Sequence, residues 1–212
     1  MSVVPSYVET PALAAPRCGS WAELAVACGG CVACPELVAS RRHVVPGACP
    51  PGADVLLVGE APGAQEDETG QPFVGRSGQL LDELLAAAGI ARAGVAVANT
   101  VKCRPPGNRT PRRSELVACR PWLERQIELA DPLLVVTLGG TAASWVLGPG
   151  ARLGASRGVL HDYGGRPVLV TYHPSAAIRF GPNGAPRAAL AEDLITAAAH
   201  LTRLRASTGG RR

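Results

Sequence analysis

The residues best suited to chemistry in this chain are its thiols. Cys28, Cys31 and Cys34 form a C-x2-C-x2-C run, Cys103 and Cys119 follow far downstream, and Cys18 and Cys49 stand apart. Four thiolates drawn from two distant pairs can hold either tetrahedral zinc or an iron-sulfur cluster, and spacing alone leaves both open. A ferredoxin-like run is disfavoured, because Pro35 follows Cys34 directly and that motif's fourth cysteine is missing. A thioredoxin-type pair is disfavoured too, since this C-x2-C precedes the first strand and does not open a helix after one. Seven cysteines, an odd number, in a chain whose start shows no basic-then-apolar leader argue for metal ligation or redox chemistry over a disulfide framework.

The second cluster is cationic. Lys102, Arg104, Arg109, Arg112 and Arg113 lie together with no acidic residue, interrupted by Pro105-Pro106-Gly107-Asn108. The run sits between Cys103 and Cys119, so a metal centre would pin both ends and lower the entropic cost of presenting it to phosphates. The net charge of +4 and pI near 8.8 are compatible with a polyanionic partner and too small to establish one.

These residues need a scaffold. Apolar runs at 55–58, 95–98, 133–138 and 168–172 have strand length, and they alternate with helical periodicity. Ser20 and Glu23 open a short helix with a capping box. Leu80, Leu81, Leu84 and Leu85 mark a second helix that stops at Gly89, 114–130 a third that meets Pro121, and 188–204 the last, with a shorter one running through Val146. The expectation is an α/β single domain: a central, mostly parallel four-stranded sheet flanked by helices, spanning 20–204, with a flexible arm at 1–19 and a basic tail at 205–212. Ligands in such sheets bind beyond the carboxyl ends of the strands, where 59–63, 99–100, 139–140 and 173–175 bring Glu60, Asn99 and His173 to one rim. The longest uncharged run, 133–150, reads as strand, glycine turn and helix. No membrane partner and a cytoplasmic location are therefore expected. Neither a P-loop nor a G-x-G-x-x-G turn follows any strand, which argues against nucleotide-dependent classes.

The segments Gly59-Glu60-Ala61-Pro62-Gly63, Gly70-Gln71-Pro72-Phe73-Val74-Gly75-Arg76-Ser77-Gly78-Gln79-Leu80-Leu81, Asn99-Thr100-Val101-Lys102-Cys103-Arg104-Pro105-Pro106 and His173-Pro174-Ser175 occur in this order. Together they resemble the family 4 uracil-DNA glycosylases, the iron-sulfur branch of that superfamily, over roughly residues 31 to 204. The resemblance implies a [4Fe-4S] cluster held by Cys31, Cys34, Cys103 and Cys119, with Cys28 a near neighbour. It implies base flipping and hydrolysis of the bond between uracil and its sugar, leaving an abasic site for base excision repair.

On this resemblance Phe73 stacks on the everted base, Asn99 reads its O4 and N3-H edge, and His173 donates to O2 with help from a backbone N-H near Ala61. Glu60 orients water or stabilises the cationic sugar, and Glu66 crowds the thymine methyl. Ser77, Ser175 and Arg179 join Arg104, Arg109 and Arg112 as phosphate contacts. The expected partner is uracil-containing DNA, single- or double-stranded, bound by a monomer, with a sliding clamp a candidate associate. Two departures from the pattern matter. The stretch between Cys103 and Cys119 has no histidine, so covalent trapping of the substrate is not expected. Ala176-Ala177 replaces bulkier residues after Ser175, leaving Ile178 to fill the vacated base stack and favouring single strands. The competing readings are an iron-sulfur DNA-binding or redox-sensing protein with little catalysis, and a zinc-held nucleic-acid-binding module.

Overall fold

A computed structural model describes residues 10–207. Five strands, β1 (Val55–Gly59), β2 (Val95–Asn99), β3 (Leu134–Leu138), β4 (Leu160–Tyr163) and β5 (Arg166–Thr171), form one sheet in the order β2-β1-β3-β5-β4. The first, second, third and fifth run parallel, and β4 pairs antiparallel with β5 along the edge. The four parallel strands are those expected. Strand β4 escaped because its alternating exposure and polar His161 and Asp162 hide an edge strand within an ordinary loop. Its signal was the Gly164-Gly165 pair, both at positive φ, a two-residue hairpin turn joining β4 to β5.

The helices are α1 (Pro11–Ala14), α2 (Trp21–Gly29), α3 (Pro35–Ser40), α4 (Ala64–Thr69), α5 (Arg76–Ala87), α6 (Arg113–Ala130), α7 (Gly140–Leu147), α8 (Leu153–Ser156), α9 (Pro174–Phe180) and α10 (Ala185–Ser207). Strands β1, β2 and β3 are buried at every position, which is why they read as continuous Val/Leu/Ala runs rather than alternations. One face packs Leu57, Val97, Val136 and Leu169 against Leu81 and Leu85 of α5 and Leu190, Leu194 and Leu201 of α10. The other face packs Leu56, Val58, Ala96 and Val135 against Leu123 and Ile127 of α6 and Trp145 of α7. Pro121 lies inside α6 without ending it.

The segment expected as a loose arm is partly structured. Residues 1–9 lie outside the described residues, but α1 and the 3-10 turn Ala15–Arg17 pack on α6, burying Ala15 completely. Arg125 of α6 donates two hydrogen bonds, at 2.7 and 2.8 Å, to the carbonyl of Cys18. Small apolar residues in a Pro-rich stretch carry little periodic signal, so the contact is invisible without the partner. At the other end α10 continues to Ser207, three residues beyond the expected stop, and the rest of the supposed tail is outside the described residues.

The chain passes from β1 outward to β2 and then returns to the opposite side of β1 to form β3. The crevice between the β1 and β3 tips is thus the switch point at which open α/β sheets bind ligands. Next to it, the turn carrying Phe73 lies against the first turn of α5 so closely that a Cβ on Gly78 would sit 1.7 Å from the Phe73 carbonyl oxygen. Gly78→Ala is expected to lower stability by about 3 kcal/mol, at the top of the range for overpacking. Denaturant unfolding with an unchanged midpoint would contradict this contact.

Candidate active site

The strand tips enclose a cavity of about 400 Å3 whose wall includes Glu60, Ala61, Glu66, Phe73, Ser77, Asn99, His173, Ser175 and Arg179. This volume suits a single nucleobase with part of its sugar. Residues from four separate segments therefore meet where the sequence places them.

Gly59, the last residue of β1, makes the meeting geometric. A Cβ there would lie 2.4 Å from Asn99 Oδ1 and 2.7 Å from Phe73 Cζ, so both side chains occupy the space that any other residue would fill. Asn99 is paired in register with Gly59 and is 3% exposed, yet its Oδ1 has no hydrogen-bond partner among the described residues. A buried acceptor left open toward a cavity is costly unless a ligand donor completes it. Phe73 has φ 54, an uncommon conformation for an aromatic residue, which turns its ring inward from the loop before α5. Its ring centroid is 6.4 Å from that of His173, at an interplanar angle of 33°.

His173 caps α9 with its own ring: the Ser175 N-H donates to Nδ1 at 3.1 Å, and Ser175 Oγ lies 2.8 Å from the same nitrogen. With Nδ1 accepting, the neutral ring carries its proton on Nε2, free to donate into the cavity. Burial lowers the His173 imidazole to about 4, against the opposing pull of the Glu66 carboxylate. Ser175 is thus engaged in orienting the histidine.

Glu60 stands at the β1-β3 crevice. Its Oε2 accepts a short hydrogen bond from Thr141 Oγ1, in the first turn of α7, and its main-chain oxygen accepts from both the Thr100 hydroxyl and the Val101 N-H. Thr141 was missed in the sequence because a threonine at a helix start has an ordinary capping use. Glu66 is part of the wall, but both its oxygens are engaged, Oε2 with Gly63 N-H at 3.1 Å and Oε1 with Gly75 N-H at 2.8 Å. It ties the loop after β1 to the loop before α5. A carboxylate three residues into α4 from a glycine N-cap is a readable sign of that job.

The cationic loop divides. Arg109 makes a bidentate pair with Glu115 at 2.6 and 2.9 Å and reaches Glu36 as well, holding the Glu115 carboxyl below its ordinary value; Arg112 also pairs with Glu36. Expected as phosphate contacts, these two tie the loop to α3 and α6, and Arg109 also lines the cavity. Arg104 donates to Asn108 at 2.7 Å, and Arg179 and Ser77 lie on the wall of the cavity. Ile178, the expected filler of the base stack, packs against the core, whereas Phe180 at the end of α9 is 61% exposed beneath the Arg179 guanidinium.

A second, smaller and mostly apolar chamber lies behind the cavity, lined by Cys28, Cys31, Cys34, Cys103 and Cys119 with Leu37, Val101 and Trp122. Among the described residues, no three His, Cys, Asp or Glu side chains converge closely enough for one metal ion. Thiols spread around a chamber suit a polynuclear centre better than a single zinc, whose ligands all sit about 2.3 Å from one atom. Arg41 Nη1 lies 3.0 Å from Cys103 Sγ, and the fully buried Lys102 faces Cys28, Cys103 and Cys119. Burial first, and then Cys103 and Cys31, raise the Cys34 thiol to about 11, and burial raises Cys119 to about 12 against the pull of Lys102, so loading a centre must displace protons.

Against this geometry the comparisons with known proteins are specific. The model of the uracil DNA glycosylase superfamily matches residues 46–195. A type-4 uracil-DNA glycosylase of Thermotoga maritima is 45% identical over 166 residues, covering 77% of this chain and 85% of that protein. One of Pyrobaculum aerophilum is 44% identical over 70% of this chain and 80% of its own length. A type-5 uracil-DNA glycosylase of Thermus thermophilus is 34% identical, over 68% and 82% respectively. The chain belongs to the uracil-DNA glycosylase superfamily and, within it, to the type-4 branch.

The unfolded chain takes up a proton on His173 near pH 6.5 and the folded protein only near 4. This residue therefore costs stability progressively as pH falls from 6.5 toward 4 and nothing above. His173→Asn should flatten that part of the stability curve relative to wild type; identical curves would mean a solvated imidazole. Arg104→Ala and Arg179→Ala should each reduce the salt slope of DNA binding by about 1, whereas Arg109→Ala should lower the melting temperature and leave the slope alone.

Proposed function

We propose that this chain is a monofunctional uracil-DNA glycosylase that everts uracil from DNA, hydrolyses its bond to the sugar and leaves an abasic site for base excision repair. The observation that carries the reading is the orphaned Asn99 Oδ1, buried in a cavity beside Phe73 and His173. Uracil N3-H is the donor that completes it, while the Asn99 amide N-H meets O4. Cytosine presents an acceptor at N3 and a donor at C4, so it meets both groups with the wrong polarity. Phe73 covers the face of the base. Glu66 fixes the two loops that shape the slot.

As the C1′-N1 bond breaks, its electron pair leaves with uracil, and negative charge spreads onto O2. His173 Nε2-H donates to that oxygen from a neutral ring, which matches a weakly basic leaving anion better than full proton transfer from an imidazolium would. Glu60, oriented by Thr141, is placed to stabilise the cationic sugar and to hold the water whose oxygen joins C1′. Arg104, Arg179 and Ser77 position phosphates around the mouth.

Cys31, Cys34, Cys103 and Cys119 would hold a [4Fe-4S] cluster. The fit rests on thiols distributed around a chamber and on Lys102, fully buried with no carboxylate partner among the described residues: burial disfavours its ammonium, and an anionic centre beside it would restore that charge. When bound, the cluster supplies a cross-link between the segment before α3, the loop after β2 and α6. Hydrolysis needs no electron transfer, so the cluster is read as structural, and Glu60, Asn99 and His173 together in one cavity favour the enzyme over a redox sensor. The protein is read as a monomer acting in the cytoplasm; no helix among the described residues is long and apolar enough to cross a membrane.

Labelled oligonucleotides carrying one uracil, incubated with the protein and then cleaved with alkali, should break at that position. Asn99→Ala should lose this cleavage by about a hundredfold or more while binding uracil-free DNA as wild type does. Cleavage undiminished in the variant would defeat the assignment. Freshly purified protein should absorb near 400 nm and contain iron and sulfide; bound zinc without that band would overturn the cluster.

A further inference from the structure

We propose that Lys102 is a positioning residue for uracil selection, held in place by the charge of the thiol centre and in turn holding Asn99. The inference rests on the cluster and base-recognition readings above. Lys102 is 1% exposed and lies between the two chambers. Its Nζ donates to the main-chain oxygen of Asn99 at 2.7 Å and to Gln126 Oε1, and Gln126 Nε2 donates to the Pro46 carbonyl. Its own carbonyl accepts from the Val45 N-H at 2.7 Å, so the segment before β1 is tied to the same point. On the other side Lys102 lines the thiol chamber together with Cys28, Cys103 and Cys119.

A buried ammonium with only neutral oxygens for partners is unfavourable, because two dipoles do not replace its hydration. Burial by itself favours the neutral amine, and a negative charge nearby is what keeps Lys102 an ammonium. A cubane ligated by four thiolates is a net anion, and among the described residues Lys102 and Arg41 are the cations that line its chamber. The centre thus has a role without redox turnover. It anchors the ammonium, the ammonium holds the Asn99 carbonyl, and that fixes where the Asn99 amide sits in the slot. Without the anchor Asn99 retains its strand hydrogen bonds but loses the restraint at the tip, where a shift of about 1 Å is enough to lower turnover steeply.

Two substitutions in the holoprotein separate the charge from the hydrogen bond. Lys102→Met keeps the volume and removes both. The reduction potential of its cluster should move lower than in wild type, since a neighbouring positive charge favours the reduced state. Single-turnover excision of uracil should fall about tenfold or more with DNA affinity within about twofold of wild type. Gln126→Glu gives Lys102 a carboxylate partner, cancelling its charge but leaving the bond to Asn99. Its potential should also move lower, with excision within about threefold of wild type.

Lys102→Met with wild-type potential and excision, or Gln126→Glu losing excision as severely as Lys102→Met, would overturn the proposal. Should Lys102→Met fail to fold, the potential of Gln126→Glu still decides, because an unmoved value means that the ammonium and the centre do not sense each other. Wild-type protein lacking iron and sulfide would sink the cluster reading, and the excision comparison would then test the Lys102-Asn99 bond by itself.

Discussion

The missing side chain at the end of β1 is the constraint on which the rest of the site depends. Because Gly59 is bare, the Asn99 amide and the Phe73 ring both reach the same few ångströms of space at the sheet's rim. The remaining walls arrange themselves around that vacancy. Glu66 draws the two flanking loops together through backbone N-H groups, and Gly78 lets the Phe73 turn lie on α5. Any side chain at position 59 would push apart an amide and an aromatic ring that come from chain positions 26 residues apart.

Electrostatics divides the same region into compartments with different tasks. The pocket is nearly free of buried like-charge conflict: His173 is neutral, Glu66 is saturated with N-H donors, and Glu60 has a hydroxyl donor. The thiol chamber is the opposite, an assembly of potential anions balanced by Lys102 and Arg41. On the cavity wall Arg109 pairs with Glu115 and Glu36, and beyond it Arg112 pairs with Glu36. Cations that look equivalent along a chain thus meet carboxylates in one case and thiols in another.

How much of this could be read without coordinates depended on the distance between interacting residues. Strands β1, β2, β3 and β5 announce themselves as buried apolar runs, and the rim rule brings Glu60, Asn99 and His173 together because it requires only strand order. The partners of the basic loop were not readable. Glu36 lies 73 residues before Arg109, and nothing local distinguishes an arginine aimed at phosphate from one aimed at a carboxylate. Edge strand β4 was hidden by its own solvent exposure, although the glycine pair after it was a fair signal. Ile178 and Phe180 show the same limit on α9: both are apolar and two residues apart, and only the location of the core tells which one is left outside.

The Arg125 latch on the Cys18 carbonyl gives the first turns of the chain a use that a sequence-guided trimming would discard. Those turns roof the small apolar cluster in which Cys28, Cys119 and Trp122 sit. Removing them would leave the fold of the sheet alone and admit air to the thiols. Shelf life, rather than catalytic competence on the day of preparation, is where a shortened protein would differ from the full chain.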